Sequence, residues 1–452
     1  MLKVKIGLEV HGYLNTKEKL FCTCRAIHGL KVIRPNASIC PICCGMPGAK
    51  PMLPNKTAVN KAIQIALILG CKINEKLIWQ RKHYNWPDLP KGYQNTISGP
   101  YAIPIGINGN FLGIGIEEAH LEEDPAAWNP KTGEIDYNRS GVPLIEIVTK
   151  PDFKDSEQVV LWLKQLITTL GYIKAIDKKT GIKADINISI PKGKRVEIKN
   201  VNSLRNIKNV IEYEIQRQKK ELPKIQETRM YDENKGVTIK MRTKEQAQDY
   251  RFISEPDLPI IKINSKRVNK IKLNLPETPH KKLKKIIKKY KIEKKSAEVL
   301  TKKLEIVEFF EKIIKKTNPK LAVRWVTEEL LSVLNYNKKE LEDIEINPEH
   351  FIELLKLIEK NIITELKAKD ILRSWKEKSK SPKQEIKKHS QISDTEIKNL
   401  AKKVIKENKK AVEDYKSGKK ESLNFLIGQV MRLSNKRADY KTARDVLEKE
   451  LK

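Results

Sequence analysis

GLEVHGYL, residues 7–14, alternates apolar Leu8 and Val10 with polar Glu9 and His11. Side chains on a strand point alternately to its two faces, so Glu9 and His11 share one face and the aliphatic pair the other. That pattern predicts a sheet with one face packed against a core and the other left open for chemistry. Further segments read the same way: GNFLGIGIEE, VPLIEIVT, ADINISI, KRVEIKN and GVTIKMR. NGN at 108–110 reads as a hairpin turn. Between the strands, KTAVNKAIQIALIL and SEQVVLWLKQLITTL carry helical periodicity, the second with Ser156 or Asp155 as its cap.

The texture changes after LNLPETPHKK. Gly and Pro become scarce, and apolar residues recur at three- and four-residue spacing in VEFFEKIIKK and PEHFIELLKLIEKNI. A polar stretch at 376–391 reads as a linker. Beyond it, Ser393 and Glu396 have capping-box spacing at the start of another helix. The expected fold class is therefore α+β. A large, mostly antiparallel cradle domain over 1–273 precedes an all-helical domain over 274–385 and a small helical tail over 386–452.

The 452 residues include 90 Lys and Arg against 57 Asp and Glu, a formal charge of +33. Such an excess points to a polyanionic partner, nucleic acid above all. The charge is unevenly placed. Residues 281–303 hold eleven lysines, whereas 101–150 hold three basic and eight acidic side chains. Within that acidic region, IEEAHLEED (116–124) gathers five carboxylates and a histidine. Glu118, His120, Glu122 and Asp124 share one strand parity and Glu123 the other, so alternation favours Glu122 over Glu123 as a partner of Glu9 and His11. Glu146 stands inside the apolar run VPLIEIV, where a carboxylate is costly unless paired or bound to a metal. Oxygen donors with one imidazole suit Mg²⁺ or Mn²⁺.

Cys22 and Cys24, then Cys40 and Cys43, form C-x-C and C-x-x-C pairs separated by fifteen residues. Four thiolates in two short knuckles suit a closed, structural zinc site. Cys44 stands as an alternative ligand, and Cys71, in LILGCKI, reads as a packed core residue. No P-loop or Gly-rich dinucleotide fingerprint occurs, and His83, His120 and His280 lie in no recognisable motif. The sequence has no apolar run long enough for a signal peptide or a membrane span, so a cytoplasmic protein is expected.

IGLEVHGYLNTKEKLFCTC, CPICCGMPGAKP, RKHYNWPDLPKGYQ, HLEED, DYNRSGVPLIEIVTKPD, VEIKNVNSLRNI, QETRMYDENKGVTIKMRTKEQAQDYRFISEPDLP and AVEDYKSGKKESLNFLIGQVMR together resemble the B subunits of aspartyl/glutamyl-tRNA amidotransferases, in order and over nearly the whole chain. The related glutamyl-only E subunits carry a long insertion for which this chain has no room. The resemblance implies a ligase subunit that binds Glu-tRNA(Gln) or Asp-tRNA(Asn) and phosphorylates the side-chain carboxylate with ATP and Mg²⁺. A glutaminase (the A subunit) supplies the ammonia, and a heterotrimer is completed by a small C subunit. The resemblance also implies Mg²⁺ ligands and catalytic groups at Glu9, His11, Glu123 and Glu146, with Glu122 a close neighbour. Structural Zn²⁺ falls on Cys22, Cys24, Cys40 and Cys43. Arg81, Lys82, Lys91 and Arg229 are the weaker candidates for positioning ATP phosphates. Two departures stand out: EEDPAAW replaces the family's EEDAGK, and GIKADINIS replaces GSLRCDANVS, keeping Asp185 and Asn187 with Lys183 nearest the lost arginine. The rival reading is a non-catalytic, zinc-containing RNA-binding protein, which would have no need of the Glu/His set.

Overall fold

The computed structural model turns the alternation of residues 5–13 into a strand, β1 (Lys5–Tyr13), near the middle of a twelve-stranded sheet. It describes residues 3–27, 34–176, 182–243, 250–385 and 392–451. The remaining strands are β2 (Lys72–Ile73), β3 (Gln80–His83), β4 (Gln94–Thr96), β5 (Gly106–Phe111), β6 (Ile114–Glu123), β7 (Pro143–Thr149), β8 (Ile182–Ser189), β9 (Val196–Val201), β10 (Glu227–Asp232), β11 (Val237–Thr243) and β12 (Arg251–Ser254). Their order is β11-β10-β9-β8-β1-β7-β6-β4-β3-β12, with β5 beside β6 and β2 beside β5. Every pairing is antiparallel except β9 with β10, which is parallel and bridged by helix α3 (Leu204–Lys220). The mostly antiparallel cradle expected from sequence is the architecture observed.

One face of this sheet is the core. Ile6, Leu8 and Val10 of β1, Ile145 and Ile147 of β7, and Ala184, Ile186 and Ile188 of β8 are buried in one cluster with three helices. These are α1 (Lys56–Ile68), α2 (Ser156–Tyr172) and α3. Each buried aliphatic side chain contributes about 1.5–3 kcal/mol relative to exposure, which fixes which face looks inward. Cys71 lies in the same cluster, as its apolar context suggested. Asp155 is the residue that caps α2, accepting from the Gln158 backbone N–H at 2.7 Å. Asp155→Ala is expected to destabilise the sheet unit by about 0.5–2 kcal/mol in a denaturant titration. An unchanged midpoint would show that the cap is dispensable.

Two irregularities set the strands' facing. Between β6 and β7 the register slips at Val148/Thr149, leaving Glu117 without a partner on β7. Ile114 and Ile116 point into the core before the slip, and Ala119 and Leu121 do so after it. Glu118, His120 and Glu122 consequently share the open face. NGN at 108–110 is not the hairpin turn that its composition suggested, because all three residues lie inside β5. The reversal occurs at Leu112–Gly113, both at positive φ (51° and 86°), the conformation a two-residue hairpin needs. Asn108, at φ 52°, instead adapts its strand to the slip opposite.

The chain divides into two compact units, Met1–Pro279 and His280–Lys452. In the second, apart from one isolated bridge between Glu345 and Lys378, the regular elements among its described residues are all helices. It includes the separate tail core around Ile397, Val404, Leu426, Val430 and Leu447, whose first helix, Asp394–Glu407, begins with the expected Ser393/Glu396 capping box. Of the linker reading, residues 386–391 lie outside the described residues. No helix among the described residues is long and apolar enough to cross a membrane.

Candidate active site

On the open face, strand register lines up charged residues directly. Lys183 of β8, His11 of β1, Glu146 of β7 and His120 of β6 are successive cross-strand partners. One row over, Asp185 pairs with Glu9. Opposed side chains in an antiparallel pair have Cβ atoms about 4.5–5.5 Å apart, so sheet formation alone brings these groups together. All but the buried His120 form the floor of a cavity of about 290 Å³, whose walls include Tyr13, Lys82, Tyr84, Gln94, Glu122, Asp124, Pro125 and Lys199.

His11 Nδ1 lies 3.8 Å from Glu146 Oε2, and its Nε2 lies 4.0 Å from Asp185 Oδ2. His120, with its side chain 3% exposed, is surrounded by carboxylates: Glu118 at 3.0 Å, Glu146 at 3.2 Å and Glu122 at 3.7 Å. Burial alone would strip the proton from His120, but Glu146, Glu118 and Glu122 outweigh it and lift its pKa well above the usual imidazole range. Reciprocally, burial raises Glu146, yet His120 and His11 hold it well below the ordinary carboxylate value. Glu122 is pushed up by burial and by Glu146. Glu9 rises to about 6 through burial and the charges of Glu146, Glu197 and Asp185, and accepts a hydrogen bond from Asn187 Nδ2 at 3.0 Å.

Donor atoms of His11, Glu122 and Glu146 lie within 4.8 Å of one another, and so do those of Glu9, Asp185 and Glu197. A charge-dense, partly desolvated set of oxygens with one imidazole fits a hard divalent cation. Lys199 answers the second group, its Nζ 3.2 Å from Asp185 and 2.8 Å from Glu197.

The cysteines converge as well. The sulfurs of Cys22, Cys24, Cys40 and Cys43 lie within 4.8 Å of one another, a donor set that fits tetrahedral zinc without further ligands. Cys44 is half-buried and outside this set. A hydrogen bond from Cys22, outweighing burial, holds the Cys43 thiol well below its usual range, with help from the Cys40 backbone and the Lys19 ammonium. Gly45 follows at φ +67°, and a side chain there would meet the Pro90 carbonyl oxygen at 2.3 Å. The knuckle therefore packs directly onto the loop that carries Lys91.

The family model described as GatB/GatE catalytic domain matches residues 4–269, and the one described as GatB domain matches 308–451. The B subunit of the aspartyl/glutamyl-tRNA(Asn/Gln) amidotransferase of Methanocaldococcus jannaschii is 45% identical, the alignment covering 100% of this chain and 98% of that protein. The chain belongs to this B-subunit family. The corresponding B subunits of Methanosphaera stadtmanae and Methanopyrus kandleri are 43% and 41% identical over 96% and 97% of the chain and 96% of each relative. As a member of the family, the chain is a catalytic ligase subunit of the amidotransferase class.

Within this family frame, the structure brings Glu9, His11, Glu122 and Glu146 to one cavity and does not bring Glu123 there. Glu123 has the parity of Leu121 and leaves the strand on the other side. There it pairs with Lys91 Nζ at 2.5 Å and accepts from the Asn95 backbone N–H at 2.9 Å. Of the basic candidates, Lys82 lines the cavity. Arg81 is spent on Glu255, at 2.8 and 2.9 Å, and on Asp257 at 3.1 Å. Arg229 binds Thr238 across the β10–β11 hairpin and Glu227 on its own strand. His120 and Lys199 are the important groups that the motifs do not single out. The parity of His120 with Glu122 was the available signal for the first; for Lys199, the KRVEIKN alternation places it with Glu197.

Proposed function

We propose that the cavity binds the acylated end of Glu-tRNA(Gln) or Asp-tRNA(Asn), together with ATP, and converts the side-chain carboxylate to an acyl phosphate. The carboxylate oxygen attacks the γ-phosphorus and ADP leaves. Ammonia from a glutaminase partner, held with a further small protein in a heterotrimer, then attacks the acyl carbon and phosphate departs, giving the amide. The observation that carries this reading is the buried histidine–carboxylate floor, which a passive RNA binder in the cytoplasm has no reason to maintain against its desolvation cost.

His11, Glu122 and Glu146, with Glu9 and Asp185 adjoining, would hold Mg²⁺, which when bound neutralises phosphate charge facing the attacking carboxylate. His120 keeps Glu122 and Glu146 oriented from beneath as their buried counter-charge. Lys82 and Lys183 supply positive charge on the cavity wall, where phosphate oxygens need it, while Lys199 stays committed to Asp185 and Glu197. The four cysteines would hold Zn²⁺ structurally, fixing the knuckle under the Pro90–Lys91 loop. The test is phosphate release from ATP by the complex. Release stimulated by Glu-tRNA(Gln) or Asp-tRNA(Asn) but not by deacylated tRNA is expected; equal rates with both would overturn the reading.

The tail gives a separate expectation. Residues 392–451 have their own core and a lysine-rich surface. Deleting 392–452 is expected to leave the sheet unit folded while weakening tRNA binding. The intact chain's affinity should fall steeply with salt, because phosphate contacts release counterions. Unchanged affinity in the deletion would remove the tail from the binding surface.

A further inference from the structure

Outside the cavity lining, two indoles meet on the segments that follow two of its wall residues. Trp86 is 44% exposed, and its ring stands edge-on to Trp128, with centroids 5.5 Å apart and planes at 86°. Both are fastened to cavity-lining residues. Tyr84, two residues before Trp86, and Pro125, three before Trp128, are part of the cavity wall. The two segments are tied by the Ala126 N–H donating to the Asp88 carbonyl at 2.9 Å. Arg139 secures the second, donating to the Pro125 carbonyl at 2.9 Å and the Ala126 carbonyl at 2.5 Å. Trp128 is further braced by the two-residue ladder Ala127–Trp128 with Ile135–Asp136. A fixed aromatic pair with one member nearly half open is an unfinished stack.

We infer that Trp86, buttressed by Trp128, is a stacking platform for a base of the unpaired 3′ end of the RNA whose acylated terminus enters the cavity. This deepens the proposed function and rests on it. The chemistry is general: single-stranded nucleic acid is gripped by aromatic faces beside basic side chains, because every base offers a π-face. Basic groups are at hand, since Lys82 and Lys183 line the cavity to which Tyr84 and Pro125 also belong. Asp88, two residues from Trp86, also keeps a carboxylate oxygen out of solvent with no hydrogen-bond partner. A half-open aromatic face suits a strand arriving from solution. A nucleotide's adenine, the other source of a purine, gains more from a slot enclosing both of its faces.

The test uses the full-length chain and an RNA hairpin ending in an unpaired 3′ tetranucleotide with 2-aminopurine at its last position. A blunt hairpin of the same stem and ATP alone serve as separate ligands. Binding of the overhang RNA should quench 2-aminopurine. Trp86→Ala should remove the quench and weaken overhang binding roughly 5- to 100-fold, with blunt-stem and ATP affinities unchanged. Trp86→Phe should recover most of the affinity. Because Trp86 is nearly half exposed, the variant should fold, and an unchanged melting temperature verifies that it does. Overhang affinity that survives Trp86→Ala overturns the inference, as does an equal loss for the blunt stem. Loss of ATP affinity with RNA binding intact would reassign the platform to the nucleotide and equally overturn it. Wild-type chain that binds none of the RNAs would instead count against the proposed function itself.

Discussion

Glu122→Gln is expected to reduce acyl-tRNA-dependent amidation by about 10²–10³-fold, while Glu123→Gln keeps acyl-tRNA-stimulated phosphate release from ATP. The two residues are adjacent, both glutamates and both buried, so composition cannot separate them. Their environments do. Glu122 shares its space with His11 and Glu146, and the neutral amide takes a charge from the group of donors that we propose holds the cation. Glu123 is neutralised locally by Lys91, on the opposite side of the strand. Glutamine preserves volume, and Glu118 and Glu146 remain to pair with His120, so Glu122→Gln should fold. The measurement is phosphate release from ATP in the presence of Glu-tRNA(Gln), then amide formation with ammonium as nitrogen source. Near-normal turnover in Glu122→Gln, with loss of phosphate release in Glu123→Gln, would invert the assignment.

Cys40→Ser is expected to take the protein from about one zinc per chain to almost none and to loosen the knuckle. Binding of structural zinc contributes about 10–16 kcal/mol to folding in small zinc domains, although here the surrounding sheet would retain part of the local order. The consequence should reach the cavity indirectly. The Ser140 hydroxyl donates to the Cys43 carbonyl at 2.7 Å, just ahead of β7, and Gly45 abuts Pro90. Proteolysis should therefore increase within 34–55 before it does elsewhere in the sheet unit. Metal analysis of the wild-type chain that finds no zinc, with the knuckle thiols reacting freely in the native state, would dispose of the site.

Much of this arrangement is legible in the linear chain because strand alternation is a short-range property. The spacing of Glu9 and His11, the isolated acid in VPLIEIV, and the parity separating Glu122 from Glu123 all follow from a period of two. The zinc-type knuckles are equally local. What sequence could not supply is pairing at long range. That Asp185 faces Glu9, or that Arg81 is consumed by Glu255 from 174 residues away, depends on which strands meet. A basic residue in a family motif carries no mark of whether its charge is free. NGN misleads for a similar cause: Asn and Gly tolerate positive φ at irregularities within strands as readily as at turns. Only the partner strand decides which is meant.

The unpaired Glu117 shows what kind of change this enzyme tolerates. One surplus residue switches the facing of everything downstream on β6, so His120 and Glu122 look outward only because of it. Glu117 itself is exposed, and almost any side chain should serve there. Losing the position altogether is another matter: Leu121 would be turned to solvent and Glu122 into the hydrocarbon interior. In lineages of this protein, the strand should thus accept spelling changes at 117 freely while its length between Ile116 and His120 stays frozen, a frame rule imposed by the pleat instead of by codons.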